Sequence, residues 1–221
     1  MSVFDQAWDW LTDGANWSGE GGVWQRLGEH VALTAGSVAI AAVIALPVAL
    51  WLGHIGKGGA PAVNISNIGR AVPTFAVLAL LGLSRLGMGT VSTVVALVLF
   101  AIPPMLTNAY VGMRGVDRDL VEASAGMGMT GFQTLRRVEL PLALPLVVTG
   151  MRTSAVQVVA TATLAALVAG GGLGRIVTAG FQLQDQGQVV AGAFLVAVLA
   201  LLVEGAFTLV QWAVARTPRR N

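Results

Sequence analysis

Cysteine is missing from this chain, and histidine and tyrosine are almost missing, with two copies and one. No disulfide, thiolate metal site or cysteine nucleophile can therefore form. The two histidines, His30 and His54, lie near opposite ends of one apolar run, too far apart to share a metal, and no nucleophile–base set accompanies them. Charge is scarce as well: Asp, Glu, Lys and Arg make up 11% of the 221 residues, against about 25% in soluble domains. Hydrophobic residues reach 55%. Such a composition belongs in a membrane, with room for about five spans and no separate soluble domain of any size. A pI near 9.9 is no sign of nucleic-acid binding, because the basic residues sit in loops beside apolar segments. The start, MSVFDQAWDW, lacks the basic flank and apolar run of a cleavable signal peptide, so the first span is expected to direct insertion.

The spans can be placed by apolar length. Val31 to Gly53 holds 23 residues without Asp, Glu, Lys or Arg. At 1.5 Å per residue that is about 34 Å of helix, enough for a hydrocarbon core of about 30 Å. Trp24 and Trp51 bracket it as interfacial anchors. A second span is expected from Ile65 to Ser84, with Arg70 and Pro73 near its start. A third runs from Gly89 to Tyr110, where Pro103-Pro104 predicts a kink. A fourth covers Leu142 to Val168 and a fifth Val189 to Ala213. Gly170-Gly171-Gly172 and Gly174 end the fourth span in a turn or re-entrant segment, and no Lys-Ser/Thr follows to make it a phosphate loop.

Basic residues set the direction. Segments near 54–62, 111–140 and 213–221 collect Lys57, Arg114, Arg118, Arg136, Arg137, Arg216, Arg219 and Arg220. The other side has Arg26, Arg85 and Arg175. Eight against three places the amino terminus outside and the carboxyl terminus inside. The expected layout is an extracytoplasmic amphipathic segment over 1–30, one transmembrane domain over 31–213 with a loop at 114–141, and a basic cytoplasmic tail over 214–221. In the first segment Val3, Phe4, Ala7, Trp8 and Leu11 share a helical face, which predicts a short interfacial helix, with a docking surface for an external partner as the other reading.

The most informative stretch is EASAGMGMTGFQTLRRVELP, from Glu122 to Pro141. Asp117 can cap a helix reaching Gly126, Gly126 and Gly128 supply a turn, and Thr130 can cap a second helix that passes Leu140-Pro141. Glu122-Ala123-Ser124, three residues, Gly128, nine residues, then Val138-Glu139-Leu140-Pro141 resembles the "EAA" loop of binding-protein-dependent ABC importer permeases. Every interval matches, with Ser124 in place of the second Ala and Val138 in place of Ile. The resemblance implies an all-α integral membrane protein of the type I ABC importer permease kind, with about five transmembrane helices and a cytoplasmic coupling-helix loop. It also implies a non-catalytic subunit in a bacterial or archaeal cytoplasmic membrane. Its expected partners are ATP-binding cassette ATPase subunits, a second permease copy or paralogue, an extracytoplasmic substrate-binding protein and membrane lipid. By that resemblance the ATPase contact falls on Glu122, Ala123, Ser124, Gly128, Met129, Phe132, Leu140 and Pro141, with Ala123, Ser124 and Ala125 forming a small-residue surface and Met127, Met129 and Phe132 serving as apolar knobs. No cofactor or metal is expected.

Further stretches narrow the resemblance. NIGRAVPTFAVLALLGL, NAYVGMRGVDRDLVEA, GMGMTGFQTLRRVELPLALPLVVTGMRTS and TATLAALVAGGGLGRIV are similar to permeases for glycine betaine, carnitine and choline. That similarity implies uptake of quaternary-ammonium osmoprotectants handed over by an external binding protein. The alternatives are an importer of the same type for another small solute, such as an amino acid or thiol-betaine, and an ATPase-independent secondary transporter.

A passage for solute is expected on the fourth span, where Thr153, Gln157 and Thr161 recur at i, i+4 and i+8 on one face. Asn108 on the third span is a further candidate. The competing reading is that these groups bond to one another or across helices. Arg70 and Arg152 are read as snorkelling toward headgroups. Glu204, deep in the last span, is read as a structural contact that Thr208 could hydrogen-bond at i+4.

Overall fold

A computed structural model describes residues 2–59, 61, 63, 64 and 72–216. Among them the regular structure is helical: α1 (Val3–Thr12), α2 (Val23–Ile55), α3 (Thr74–Leu83), α4 (Thr90–Arg114), α5 (Arg118–Gly126), α6 (Gly131–Thr134), α7 (Leu140–Ala165), α8 (Gly174–Leu183) and α9 (Gln186–Arg216). Four stretches are long and apolar enough to cross a membrane: α2, α4, the run Gly131–Val168 that contains α6 and α7, and Gln186–Val214. The expected second span is represented by α3, ten residues long. Its first part, including Ile65 and Arg70, lies outside the described residues, as do Arg219 and Arg220 of the tail.

Helices α2, α4 and α9 run past the expected span bounds, and several helix ends are closed by local contacts. Ser2 and Asp5 form a reciprocal capping box for α1, and accepting from the Ser2 backbone N–H holds the Asp5 carboxyl below its usual range. Gly56 in the left-handed conformation closes α2. In the last turn of α9 the Arg216 guanidinium lies 3.4 Å from the centroid of the Trp212 ring. The expected kink does not interrupt α4, which runs unbroken through the buried Pro103 and Pro104. Prolines are tolerated in a membrane helix when neighbouring groups can take up the freed backbone.

Packing relies on small side chains. Along α2, Leu33, Ser37, Ala41, Ala45, Ala49 and Gly53 are buried at every fourth position, an inclined row of mostly small residues packed against α4. There Leu97, Ala101, Met105, Ala109 and Met113 form the matching stripe, and α7 closes the other side of α4 with Val147, Gly150, Ser154 and Val158. Gly150 permits this approach: a Cβ there would stand 3.0 Å from the Asn108 Cβ and 3.1 Å from the Pro104 oxygen. The large apolar side chains point outward instead, as a lipid solvent requires, with Val43, Leu80, Leu83 and Leu201 at least 70% exposed.

One end of the bundle is clamped around the glycine cluster. Ala169 is left-handed, Gly172 has φ +90°, and α8 starts two residues later, so the cluster is a turn into a short helix. The amide of Gly172 donates to Glu29 Oε2 at 2.8 Å, and that of Leu173 donates to His30 Nδ1 at 3.2 Å. The other ring nitrogen of His30 lies 3.0 Å from the Val159 carbonyl, so this fully buried ring holds α2, α7 and the turn together as a neutral tautomer, donating from Nε2. On the same side α1 folds back onto α9, where the Gln6 backbone packs over Gly187, and Trp17 stacks near Trp24 with centroids 5.3 Å apart.

Gly172→Ala combines a left-handed φ with a Cβ 2.9 Å from His30 Nδ1, whereas a Cβ on Gly28 in α2 meets open space. We expect Gly172→Ala to lose about 1–3 kcal/mol and Gly28→Ala to be neutral or gain about 0.5–1 kcal/mol. Thermal unfolding of the purified protein in detergent checks this as a lowered midpoint for the first and an unchanged or raised one for the second.

Candidate coupling surface and translocation face

The loop between α4 and α7 is built as its sequence predicts. Asp117 Oδ1 accepts from the Asp119 amide at 3.0 Å and starts α5. The chain then turns through Gly128 at φ +82°. Thr130 and Gln133 form a second capping box that starts α6. From there one helical path continues through a π-turn, Leu135–Glu139, into α7. The wide turn falls where Pro141 has no N–H to give the preceding turn, and the Leu140 amide reaches back to the Leu135 carbonyl.

The two short helices present an apolar surface with a charged rim. Met127 is 76% exposed and Phe132 71%, with Leu120, Glu122, Ala123 and Ala125 also exposed and Arg136 and Arg137 beside them. An apolar patch ringed by charge is the usual mark of a protein contact. Of the loop residues singled out from the sequence, Glu122, Ala123, Gly128, Phe132 and Pro141 are exposed, and Met129 and Leu140 are half-buried. Ser124 is the correction. It is buried, and its hydroxyl donates to the Leu120 carbonyl at 2.7 Å, so the small-residue surface is Ala123 and Ala125 without it. Leu120 joins the apolar knobs, a residue the spacing argument did not select.

Glu139 was also missed, because the motif leaves its position open. It is fully buried. One carboxylate oxygen bonds His54 Nδ1 at the end of α2, and the other lies 3.7 Å from Arg118 Nη1 at the start of α5. Three elements thus meet on one carboxylate: the π-turn, α5 and α2. A signal existed in the sequence, since an acid among the apolar residues Leu135, Val138 and Leu140 has to find a partner.

On α7 the core face carries Val147, Gly150, Ser154 and Val158, and Ser154 donates across to the Ala101 carbonyl of α4 at 2.7 Å. Thr153, Gln157 and Thr161 follow one another along a flank of that face, Thr153 exposed and Gln157 and Thr161 half-buried. Thr153 donates to the Thr149 carbonyl of its own helix at 3.0 Å. Asn108 borders this side from α4, beside Gly150, with its amide closed onto the Pro104 carbonyl at 2.8 Å. From α9, Gln211 donates to the Thr149 hydroxyl at 2.7 Å. Two expectations fail here. Arg152 does not extend alone toward headgroups but lies 3.4 Å from Glu204 Oε1, and the Thr208 hydroxyl donates to the Glu204 main-chain carbonyl, not to its carboxylate. Behind this seam an apolar cleft of about 350 Å³ opens between α2, α7 and α9, lined by residues such as Val38, Met151, Val159 and Phe207.

A family model described as "Binding-protein-dependent transport system inner membrane component" matches residues 41–216. The chain belongs to this family. The glycine betaine/carnitine/choline transport system permease protein OpuCB of Bacillus subtilis is 35% identical over 179 residues, 81% of this chain and 82% of that one. The choline transport system permease protein OpuBB of the same organism is 36% identical over 80% of this chain and 81% of its own. The osmoprotectant import permease protein OsmY of Salmonella typhimurium is 36% identical over 83% and 77%. Among solved structures, an inward-facing conformation of the MetNI methionine ABC transporter superposes with a TM-score of 0.73 at 28% identity, covering 88% of this chain and 96% of that one. The fold of this family member is therefore that of a type I ABC importer permease.

Removing the Glu139 carboxylate strands His54 and Arg118. We expect Glu139→Ala to cost about 1–3 kcal/mol. The Glu139→Ala/His54→Ala double-mutant cycle is expected to show a coupling of about 1 kcal/mol or more. Denaturant titration of the four proteins in detergent measures both, and additive losses would remove the bond from the account.

Proposed function

We propose that this chain is the membrane permease of an ATP-driven importer for quaternary-ammonium osmoprotectants, working beside a second permease copy or paralogue. The single observation behind the importer reading is the coupling loop: a motif correct at every interval is carried on a capped helix pair whose apolar side chains face outward. The cargo reading rests on relatives named for glycine betaine, carnitine and choline at 35–36% identity over most of both chains.

In this reading the loop at 114–141 and the carboxyl-terminal tail face the cytoplasm, and residues 1–30 lie outside. ATPase subunits take Met127 and Phe132 into their grooves beside Glu122 and Ala123. When the ATPase pair closes on ATP, the loops move together and the two permeases exchange an inward for an outward opening, a rigid-body switch between two packings. Glu139 passes that movement to α2 through His54 and to α5 through Arg118. Solute released by an external binding protein runs between the permeases along Thr153, Gln157 and Thr161, with Asn108 at the border. Uncharged polar groups solvate a cationic or zwitterionic solute without trapping it.

Vesicles carrying the permease with its cognate ATPase and binding protein should take up labelled glycine betaine, choline or carnitine only when ATP is supplied. Phe132→Asp and Met127→Asp should each reduce uptake at least about tenfold by placing a charge in a desolvated contact, with insertion unchanged. Uptake of an amino acid but no quaternary amine would keep the importer and replace the cargo, and uptake without the ATPase would overturn the reading.

A further inference from the structure

One side of α2 carries a shallow apolar groove of about 530 Å³, lined by the helix from Ala42 to Trp51 and by Leu135 of the π-turn. Ala42, Leu46 and Leu50 repeat every four residues, with Val43, Pro47 and Trp51 one position after each. At 100° per residue these six share a side, turned away from the buried Ala41, Ala45 and Ala49. Val43 is 75% exposed and Trp51 60%. Nine positions at 1.5 Å each give about 14 Å from Ala42 to Trp51, close to half of a hydrocarbon core of about 30 Å. The groove is as long as one leaflet is deep.

Its Trp51 end lies among cations. The Trp51 and His54 rings are 6.5 Å apart, and His54 bonds Glu139 of the π-turn. Helix α2 stops at Ile55, about 6 Å beyond Trp51. Lys57 follows that stop directly, and Arg136 follows the groove-lining Leu135. Arg114, from the end of α4, reaches the same turn: a Cβ built on Gly56 would stand 2.8 Å from its Nη1. Lys57, Arg114 and Arg136 are all exposed, and among the described residues none has a carboxylate within ion-pair distance. Glu139 is taken by His54 and Arg118, Asp117 caps α5, and Asp119 and Glu122 pair with none of the three.

We propose that this end of α2 binds one anionic phospholipid. An acyl chain fills the groove from Trp51 toward Ala42, and the phosphate sits among Lys57, Arg114 and Arg136, just past the tryptophan that marks the edge of hydrocarbon. The occupant follows from two features taken together. A groove one leaflet long suits a single chain, and three cations without protein partners at its polar end call for an anion from outside the protein. A zwitterionic lipid would fill the groove equally well but brings its own cation to the phosphate. An acidic protein segment would satisfy the cations and leave the groove empty. The bound lipid touches α2 and the π-turn, the two elements that His54 and Glu139 join.

The test reads quenching of Trp51 fluorescence by brominated acyl chains in vesicles carrying the full chain. The difference between wild type and Trp51→Phe isolates this signal from the six tryptophans present. A minor fraction of brominated phosphatidylglycerol in unlabelled phosphatidylcholine should quench it with at least about tenfold preference over the same fraction of brominated phosphatidylcholine. Lys57→Gln/Arg114→Gln/Arg136→Gln should bring that preference within about twofold, while Lys57→Arg/Arg114→Lys/Arg136→Lys should keep it. Equal quenching by the two lipids in the wild type would reduce the site to annular lipid only and overturn the proposal. A preference that survives the triple Gln variant would place the selective charge elsewhere and overturn it as well. So would Trp51 untouched by either lipid, which would mean that protein covers the groove. Neither ATPase nor cargo enters the measurement, so its outcome stands apart from the importer reading.

Discussion

Hydrocarbon gives helices no reason to hide apolar side chains from it, so this bundle depends on how closely its backbones approach. The seam Ser37, Ala41, Ala45, Ala49 and Gly53 lets α2 lie against α4, and Gly150 with Ser154 lets α7 lie against the other side. Contact between such surfaces is dispersion plus an occasional hydrogen bond, and neither is large per residue. A bundle held this way can slide between packings at modest cost. What it lacks is a strong preference for one register.

Register is supplied at the two ends of α2. One end carries Glu29 and His30, bonded to the amides of Gly172 and Leu173 and to the Val159 carbonyl. The other carries His54, bonded to the buried Glu139. The two histidines are 24 residues apart on one helix, about 36 Å. One rod therefore joins the glycine turn at one end to the loop between α4 and α7 at the other. Polar bonds fix the ends, and small apolar contacts fill the length between. The histidines offered no metal or catalytic pattern in the sequence; in the structure each ties one end of α2 to another element.

Local rules carried the sequence reading far. Four of the five spans, the Asp117 and Thr130 caps and the turn at Gly128 each depend on residues within a short stretch, and each is present among the described residues. What escaped depends on residues far apart in the chain. Glu139 could be seen to need a partner, but nothing local names His54, 85 positions away. Arg152 was read alone and Glu204 with its neighbour Thr208, because pairing them requires knowing which faces of α7 and α9 meet. Ser124 was misplaced for a subtler reason. Spacing identified the motif correctly but cannot tell which of its three residues points inward on a helix only nine residues long.

The half-open side of α7 bears on whether the single chain is complete. Lipid is a poor solvent for a threonine–glutamine stripe and a worse one for an ion pair left 29% and 42% exposed. The outer face of α9 tolerates lipid well, since Leu201, Leu202 and Leu209 fill it. The single chain therefore leaves both kinds of surface open, leucines finished for hydrocarbon and polar groups that need protein or water.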